Sequence, residues 1–581
     1  MKDIKYSEIL RLNKEFTFDE SVRLIEIRVL SNVSVQQSKE IFEFTLRSES
    51  VPAKVYYGDY DNIIQDSLKY QTSNVVIIFW EICNISDGFE YSSYLLDKDY
   101  INKLIERIKQ NIDLVFQNLK ATSLVLFNRF SALLFSYPTI QSNNLKLIAD
   151  QLNQYLEEKA TSTIKLIDID KVIAQAGVER SLNLRFYFSS KALYSIDFFK
   201  TYAQFVKPYI LAANGKAKKA LIFDCDNTLW GGIVGEDGID GIEMSVKTKN
   251  GKIFNQVQSI ALALNQKGIL LGLCSKNNVK DVDEVLNNHP DILIKNEYIT
   301  IKKVNWNDKI TNLREIASEL NIGLDSIVFV DDSSFEVNLV KERLPEIKII
   351  QVPEKLYEYP ISLLKHFDLF YNLSYSREDK QKTEIYKQQS LREVEKKSFA
   401  NIDDYLVSLE LCLTVFKNDL SLTARLSQMT QKTNQFNLTT KRYTETEISN
   451  FISHPDYVVF GISVKDKFGD NGVTGLCILN LDKDTYSVTF DVFLMSCRII
   501  GRKIEYAFMD HLVSYLKENN VKTASASYIP TKKNGQVSDF YANCFFNEIS
   551  SIDESKNYVL NITEYKPHNL DYIKIEYGEI N

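Results

Sequence analysis

Up to residue 212, short apolar runs alternate with longer amphipathic stretches. The runs at 22–30, 53–57, 75–79, 123–127 and 163–167 predict strands, and the 3.6-residue periodicity at 100–119 and 145–159 predicts helices. That alternation implies parallel βαβ units wound into an α/β sheet. Beyond it, buried-looking strands are predicted at 220–223, 269–274 and 326–330, with helices at 253–267 and 309–320. A charge-dense, proline-free run follows, in which opposite charges are interspersed, as in an exposed linking helix. The last part predicts a helix at 421–431, strands at 457–464, 472–481 and 486–495, a long helix ending near Leu516, and a strand at 524–528. The pattern therefore divides the chain into α/β domains at 1–212, 213–372 and 401–581, with a helical linker at 373–400.

Composition narrows the class. The chain has 581 residues, 44% of them hydrophobic and 25% charged, which is ordinary for a large globular protein. Its seven cysteines form no C-x-x-C pair and include one that must stay unpaired, against a disulfide framework or a zinc ribbon. A net charge of −8 gives no general attraction for nucleic acid. The charged start lacks a signal-peptide core, and no apolar run approaches the roughly 18 residues of a membrane span. A soluble, cytoplasmic protein is expected.

Chemistry concentrates where the 220–223 strand ends. Asp224, Asp226 and Thr228 follow it directly, and the chain then turns through Gly231, Gly232, Gly235, Gly238 and Gly241. Strand side chains alternate faces, so the two aspartates project together, and Cys225 between them turns into the packing. Carboxyl ends of strands are where open α/β sheets hold ligands. Two carboxylates there divide phosphoryl transfer between a nucleophile and an acid/base. Three later elements support this reading. Ser275, Lys276 and Asn277 end the second strand with a hydroxyl and amides suited to a phosphate; Lys309 opens a helix with a cation; Asp331 and Asp332 cap the third strand. The last two acids would complete a hard-oxygen magnesium site with Asp224 and the carbonyl of Asp226.

These elements in this order resemble the haloacid dehalogenase-like phosphatase superfamily. The fuller string from Asp224 to Gly238, with Asn305, Trp306, Lys309 and the run Phe329 to Ser333, is similar to its FkbH-like branch. The resemblance implies Asp224 as nucleophile, Asp226 as acid/base, Thr228, Ser275, Lys276 and Asn277 around the phosphate, Lys309 as balancing cation, and Mg2+ on Asp224, Asp226, Asp331 and Asp332. The stretch between Asp226 and Ser275 is too short for a separate cap domain, since domains begin near ~50 residues. An open site walled by the flanking domains is expected, fit for a large or carrier-bound phosphorylated substrate.

FkbH-like relatives carry an amino-terminal region similar to SGNH-type esterases. Ser31 and Ser34 follow the first strand, yet the first of the five histidines is His289, so no local imidazole can activate them. A recognition role, for an acyl carrier or the substrate's acyl end, is expected there. The carboxyl-terminal strand, Arg498-x-x-Gly501 turn and helix resemble the pyrophosphate arm of Gcn5-related acetyltransferases. By that resemblance Arg498, Gly501, Asn534 and Tyr541 would hold coenzyme A or a phosphopantetheine arm. Lys503 stands where that arm usually carries a small residue. Among the thiols, Cys274 reads as core, and Cys497, beside Arg498, as packing.

The sequence thus points to a three-domain α/β enzyme: a flavodoxin- or SGNH-like sheet, a phosphatase domain without a large cap, and an acetyltransferase-like domain. The expected activity is a magnesium-dependent phosphatase acting through an aspartyl-phosphate, in a polyketide, lipid or surface-glycan pathway with an acyl carrier protein as partner. Two alternatives stay open: an acyl transferase loading a carrier thiol, and a non-catalytic scaffold.

Overall fold

The computed structural model describes residues 4–18, 24–86, 88–135, 144–372, 384–386, 388, 392, 395, 396, 398–531, 533–552 and 554–578. The chain divides into two compact units, one of Met1–Asn214 with Tyr443–Ile448, the other of Gly215–Arg442 with Ser449–Asn581. Most of the linker predicted at 373–400 lies outside the described residues.

The first unit is built on five strands, β1 (Ile25–Ser31), β2 (Ala53–Tyr57), β3 (Val75–Phe79), β4 (Leu124–Asn128) and β5 (Ile164–Ile167). They run in the order β2-β1-β3-β4-β5, all neighbours parallel. This is the doubly wound order expected from the alternating pattern. β3 and β4 are buried along their whole length, which is why they read as unbroken apolar runs. Start residues 22 and 23 of the first predicted strand lie outside the described residues.

The second unit holds two sheets. In the first, β6 (Ala220–Phe223), β7 (Leu270–Ser275), β8 (Ile299–Val304), β9 (Ile327–Asp331) and β10 (Lys348–Gln351) pair in parallel in the order β10-β9-β6-β7-β8. Side-chain alternation splits this sheet's contacts between two cores. Leu221, Phe223, Leu271, Val328 and Val330 pack on one side, and Ala220, Ile222, Leu270, Ile327 and Phe329 on the other. β6 is the central strand, and the winding reverses on either side of it. Its carboxyl end is therefore the crevice of the sheet.

The other sheet comprises β11 (Cys412–Lys417), β12 (Phe436–Asn437), β13 (Tyr457–Asp466), β14 (Gly469–Asp482), β15 (Ser487–Met495), β16 (Thr523–Tyr528), β17 (Asn547–Ile552), β18 (Ser555–Asn561) and β19 (Lys574–Tyr577). β15 pairs in parallel with β16 only over Ser487–Phe490, and the two then part. The opened edge of β15 is taken by the chain's own β12, Phe436 against Met495 and Asn437 against Leu494. Leu438 donates its N–H to Phe493 and accepts from Ile529, so the segment bridges the parted strands.

The two sheets of this unit are tied directly. Lys533 Nζ pairs with Asp325 at 2.5 Å, and the Asn321 amide donates to the carbonyl of Cys497.

Candidate functional site

At the carboxyl end of β6, the loop through Asp224, Asp226 and Trp230 turns back on itself. Leu229 N–H donates to Cys225 O, and Asn227 takes a positive φ of 53° there. Cys225 is fully buried in the core, as its place in the alternation requires, and so is Cys274. Asp224 is 6% exposed, Ser275 1% and Asp331 0%, so the ends of β6, β7 and β9 meet in an interior pocket of polar groups.

Lys309 joins them. It is the first residue of α1 (Lys309–Glu319), whose start is fixed by the Asp308 side chain accepting from Thr311 N–H at 2.8 Å. Its Nζ lies 3.0 Å from Asp224 Oδ1 and 2.6 Å from Asp331 Oδ2. Burial pulls this ammonium's pKa down, but the facing carboxylates outweigh it and hold it above the ordinary lysine value. The Asp224 carboxyl is pushed up to about 7 by burial, against the opposing pull of Lys309 and with Asp331 adding to the rise. Asp332 is also raised, by burial and then by Asp331.

Oxygens of Asp224, Asp331 and Asp332 lie within 4.8 Å of one another. Three carboxylates face one ammonium here, and the surplus negative charge is what a divalent cation offsets. The hard-oxygen donors suit magnesium, so the residues present fit the ion.

Asp226 stands partly exposed and is held by three donors. Trp230 Nε1 and Val234 N–H reach its Oδ1 at 2.9 and 3.1 Å, and Asn277 Nδ2 reaches Oδ2 at 2.7 Å. All three donate to the carboxyl oxygens and fix its orientation. Asn277, expected on the phosphate, therefore orients the second carboxylate. Of the other residues expected on the phosphate, Thr228 is fully buried, its hydroxyl has no partner among the described residues, and its carbonyl accepts from Tyr359 at 3.1 Å. Lys276 is committed to Glu336 at 2.7 Å. Ser275 stays with the cluster, its hydroxyl tempering the rise of the Asp224 carboxyl's pKa.

Three residues escaped the sequence reading. Glu336 had a legible signal, the Ser-x-x-Glu of a capping box from Ser333, and its N–H donates to Ser333 Oγ at 3.4 Å. Trp230 lay within the motif string but was given no role there, and Tyr359 carried no signal, because it reaches the loop only through the fold.

Beside the cluster opens a cavity of about 600 Å³, lined among others by Asn227, Gly232, Glu243, Asn250, Asp332 and Gln351. Its walls are the glycine-rich turn after β6 and the loop after β10.

The structure resembles the crystal structure of the N-terminal part of protein BF1531 from Bacteroides fragilis, containing a phosphatase domain complexed with Mg. The TM-score is 0.54 at 24% identity, over 64% of this chain and 100% of that one. The two share a fold. Shorter likenesses cover the ribosomal-protein-S18-alanine N-acetyltransferase of Escherichia coli (TM-score 0.21, 14% identity, 27% of this chain, 98% of that one) and the spermidine N-acetyltransferase SpeG of Vibrio cholerae (0.22, 15%, 26% and 95%). No family model and no curated protein matches the chain.

The remaining predicted residues lie elsewhere. Asn534 is fully buried. Its Nδ2 donates to the carbonyls of Asn437 and Ile529, both at 2.9 Å, and its Oδ1 accepts from Thr531 N–H at 2.6 Å. Tyr541 is 1% exposed and packs against Phe546 and Tyr558. Both were expected on a coenzyme A or carrier arm; both lie in the interior. Arg498 is buried, its Nε 3.2 Å from Ser496 Oγ. Gly501 has a φ of 85° and open space around it. Lys503 caps the next helix in a left-handed conformation and pairs with Asp403 at 2.8 Å, while Arg502 is buried against Asp466 at 2.9 Å.

In the first unit, Ser31 is buried and its hydroxyl closes on Val33, donating to the carbonyl at 2.6 Å and accepting from the N–H at 3.0 Å. Ser34 bonds Gln36 at 2.7 Å. Neither serine is poised as a nucleophile. Among the described residues, no helix is long and apolar enough to cross a membrane.

Proposed function

We propose that the second unit is a magnesium-dependent phosphohydrolase of the haloacid dehalogenase-like kind, acting on a phosphorylated small molecule or carrier-bound ester. The observation that carries this reading is Lys309 spanning Asp224 and Asp331, which brings two strand ends far apart in sequence into one charged pocket. Asp224 attacks phosphorus, and the bond from phosphorus to the alcohol oxygen breaks. Asp226, oriented by Trp230, Val234 and Asn277, gives the leaving oxygen a proton and then takes one from water. That water attacks the phosphoryl group, freeing phosphate and regenerating Asp224. Lys309 keeps Asp224 in place and balances charge through both steps. Asp224, Asp331 and Asp332 would hold a divalent cation, which would supply further neutralisation of negative charge on the phosphate.

A biosynthetic setting, in a polyketide, lipid or surface-glycan pathway with a carrier protein, is supported by the FkbH-like motif string alone. The test is phosphate release from p-nitrophenyl phosphate with Mg2+. Turnover that stops on chelation and returns with Mg2+ is expected; turnover indifferent to chelation overturns the metal assignment.

A further inference from the structure

The cavity beside Asp332 bears on what is attached to the phosphate, and this step rests on the phosphohydrolase reading above. At about 600 Å³ it far exceeds a bare phosphate and admits a sugar-sized group or larger. Among the described residues its lining contains Glu243, Asp332 and Glu354 together with Asn227, Asn250, Ser334 and Gln351, and no lysine, arginine or histidine.

Glu243 is the fixed point of this wall. Its N–H and carbonyl exchange hydrogen bonds with Gly231, both at 2.8 Å, so its backbone is fastened to the turn that leaves the catalytic loop. Gly231 is itself closed against the ring of Phe254, where an added Cβ would come within 3.0 Å. Glu243 forms no ion pair with any described residue, and neither does Glu354. Lys309, the cation of the carboxylate cluster, is already shared between Asp224 and Asp331. A magnesium ion would be occupied by the phosphate and the carboxylate cluster.

A second anionic group on the substrate would therefore face carboxylates with nothing to balance it. Hydroxyl or ammonium groups would instead find acceptors on Glu243, Glu354 and the amide oxygens. We propose that the alcohol released by this enzyme is non-anionic and rich in hydrogen-bond donors, a polyol or amino alcohol of sugar size or larger, and that Glu243 selects for it.

The test uses the full chain with Mg2+ and four esters: p-nitrophenyl phosphate, glucose 6-phosphate, glucosamine 6-phosphate and 6-phosphogluconate. The neutral and amino sugars should exceed the carboxylated one in kcat/KM by about tenfold or more, because like-charge juxtaposition is strongly disfavoured. Glu243→Gln and Glu354→Gln should each narrow that ratio. Equal or faster turnover of 6-phosphogluconate by the unaltered enzyme overturns the proposal, as does a ratio unmoved in both variants. If p-nitrophenyl phosphate and all three sugars are left intact, the phosphohydrolase reading falls and takes this inference with it; if p-nitrophenyl phosphate is cleaved and the sugar series shows no discrimination, only this inference falls.

Discussion

Asn277, just beyond β7, donates its side-chain amide to Asp226 Oδ2 at 2.7 Å. The bond fixes the carboxylate proposed as acid/base across the gap between two strands. Trp230 and Val234 hold the opposite oxygen, so the carboxylate has little freedom to turn.

Loss of that bond should show in the rate. Asn277→Ala is expected to lower kcat for phosphate release by about 10–100-fold, the scale of a misoriented acid/base group, with KM changed far less. Steady-state kinetics on p-nitrophenyl phosphate checks it. A rise in KM at unchanged kcat would return Asn277 to the phosphate-binding role expected from the sequence.

Asn534 gives a stability prediction. Its side chain bonds two carbonyls and one N–H in the interior, and Asn534→Ala strips partners from Asn437 and Ile529. A cost of about 2–4 kcal/mol is expected, since buried groups left unpaired keep their desolvation penalty. Urea unfolding of the full chain measures it. A ligand-contacting residue would lose binding and leave the unfolding midpoint in place.

Glu81, just beyond β3 and 5% exposed, gives a pH prediction for the first unit. Burial pushes its carboxyl from the usual 4.5 up to about 7, with Asp170 adding to the rise. Its folded value lies above its unfolded one, so the stability linked to it is full below about pH 4.5 and is lost as pH rises through about 7. The loss is on the order of 3 kcal/mol. Glu81→Gln should thus gain stability relative to the parent between pH 5 and pH 8, read as the difference in urea midpoints. A difference that does not change with pH would contradict this.

The sequence made the catalytic strands legible because their apolar runs are short, central and followed at once by their chemical residues. β6 was predicted with its observed bounds, and β7 and β9 within a residue at either end. The edge strands of this sheet, β8 and β10, were not legible. β8 carries Lys302 and Lys303, which pair with Asp283, Glu315 and Glu319, and its apolar signal is diluted accordingly. Asp224, Ser275, Lys309 and Asp331 converge as their positions implied. The roles of Asn277, Lys276 and Thr228 could not be read, since whether an amide, ammonium or hydroxyl meets a ligand or a neighbour depends on partners remote in sequence. Asn534 shows the same limit. Its position in the motif suggested a ligand contact, and the fold surrounds it with main chain.

The account rests most directly on Asp224 as the attacking group. Phosphate release by Asp224→Asn, measured with Mg2+ on protein whose circular dichroism and unfolding midpoint show it folded, is predicted to drop by about a thousandfold or more, as expected for loss of a nucleophile. Full activity in that variant would contradict the account.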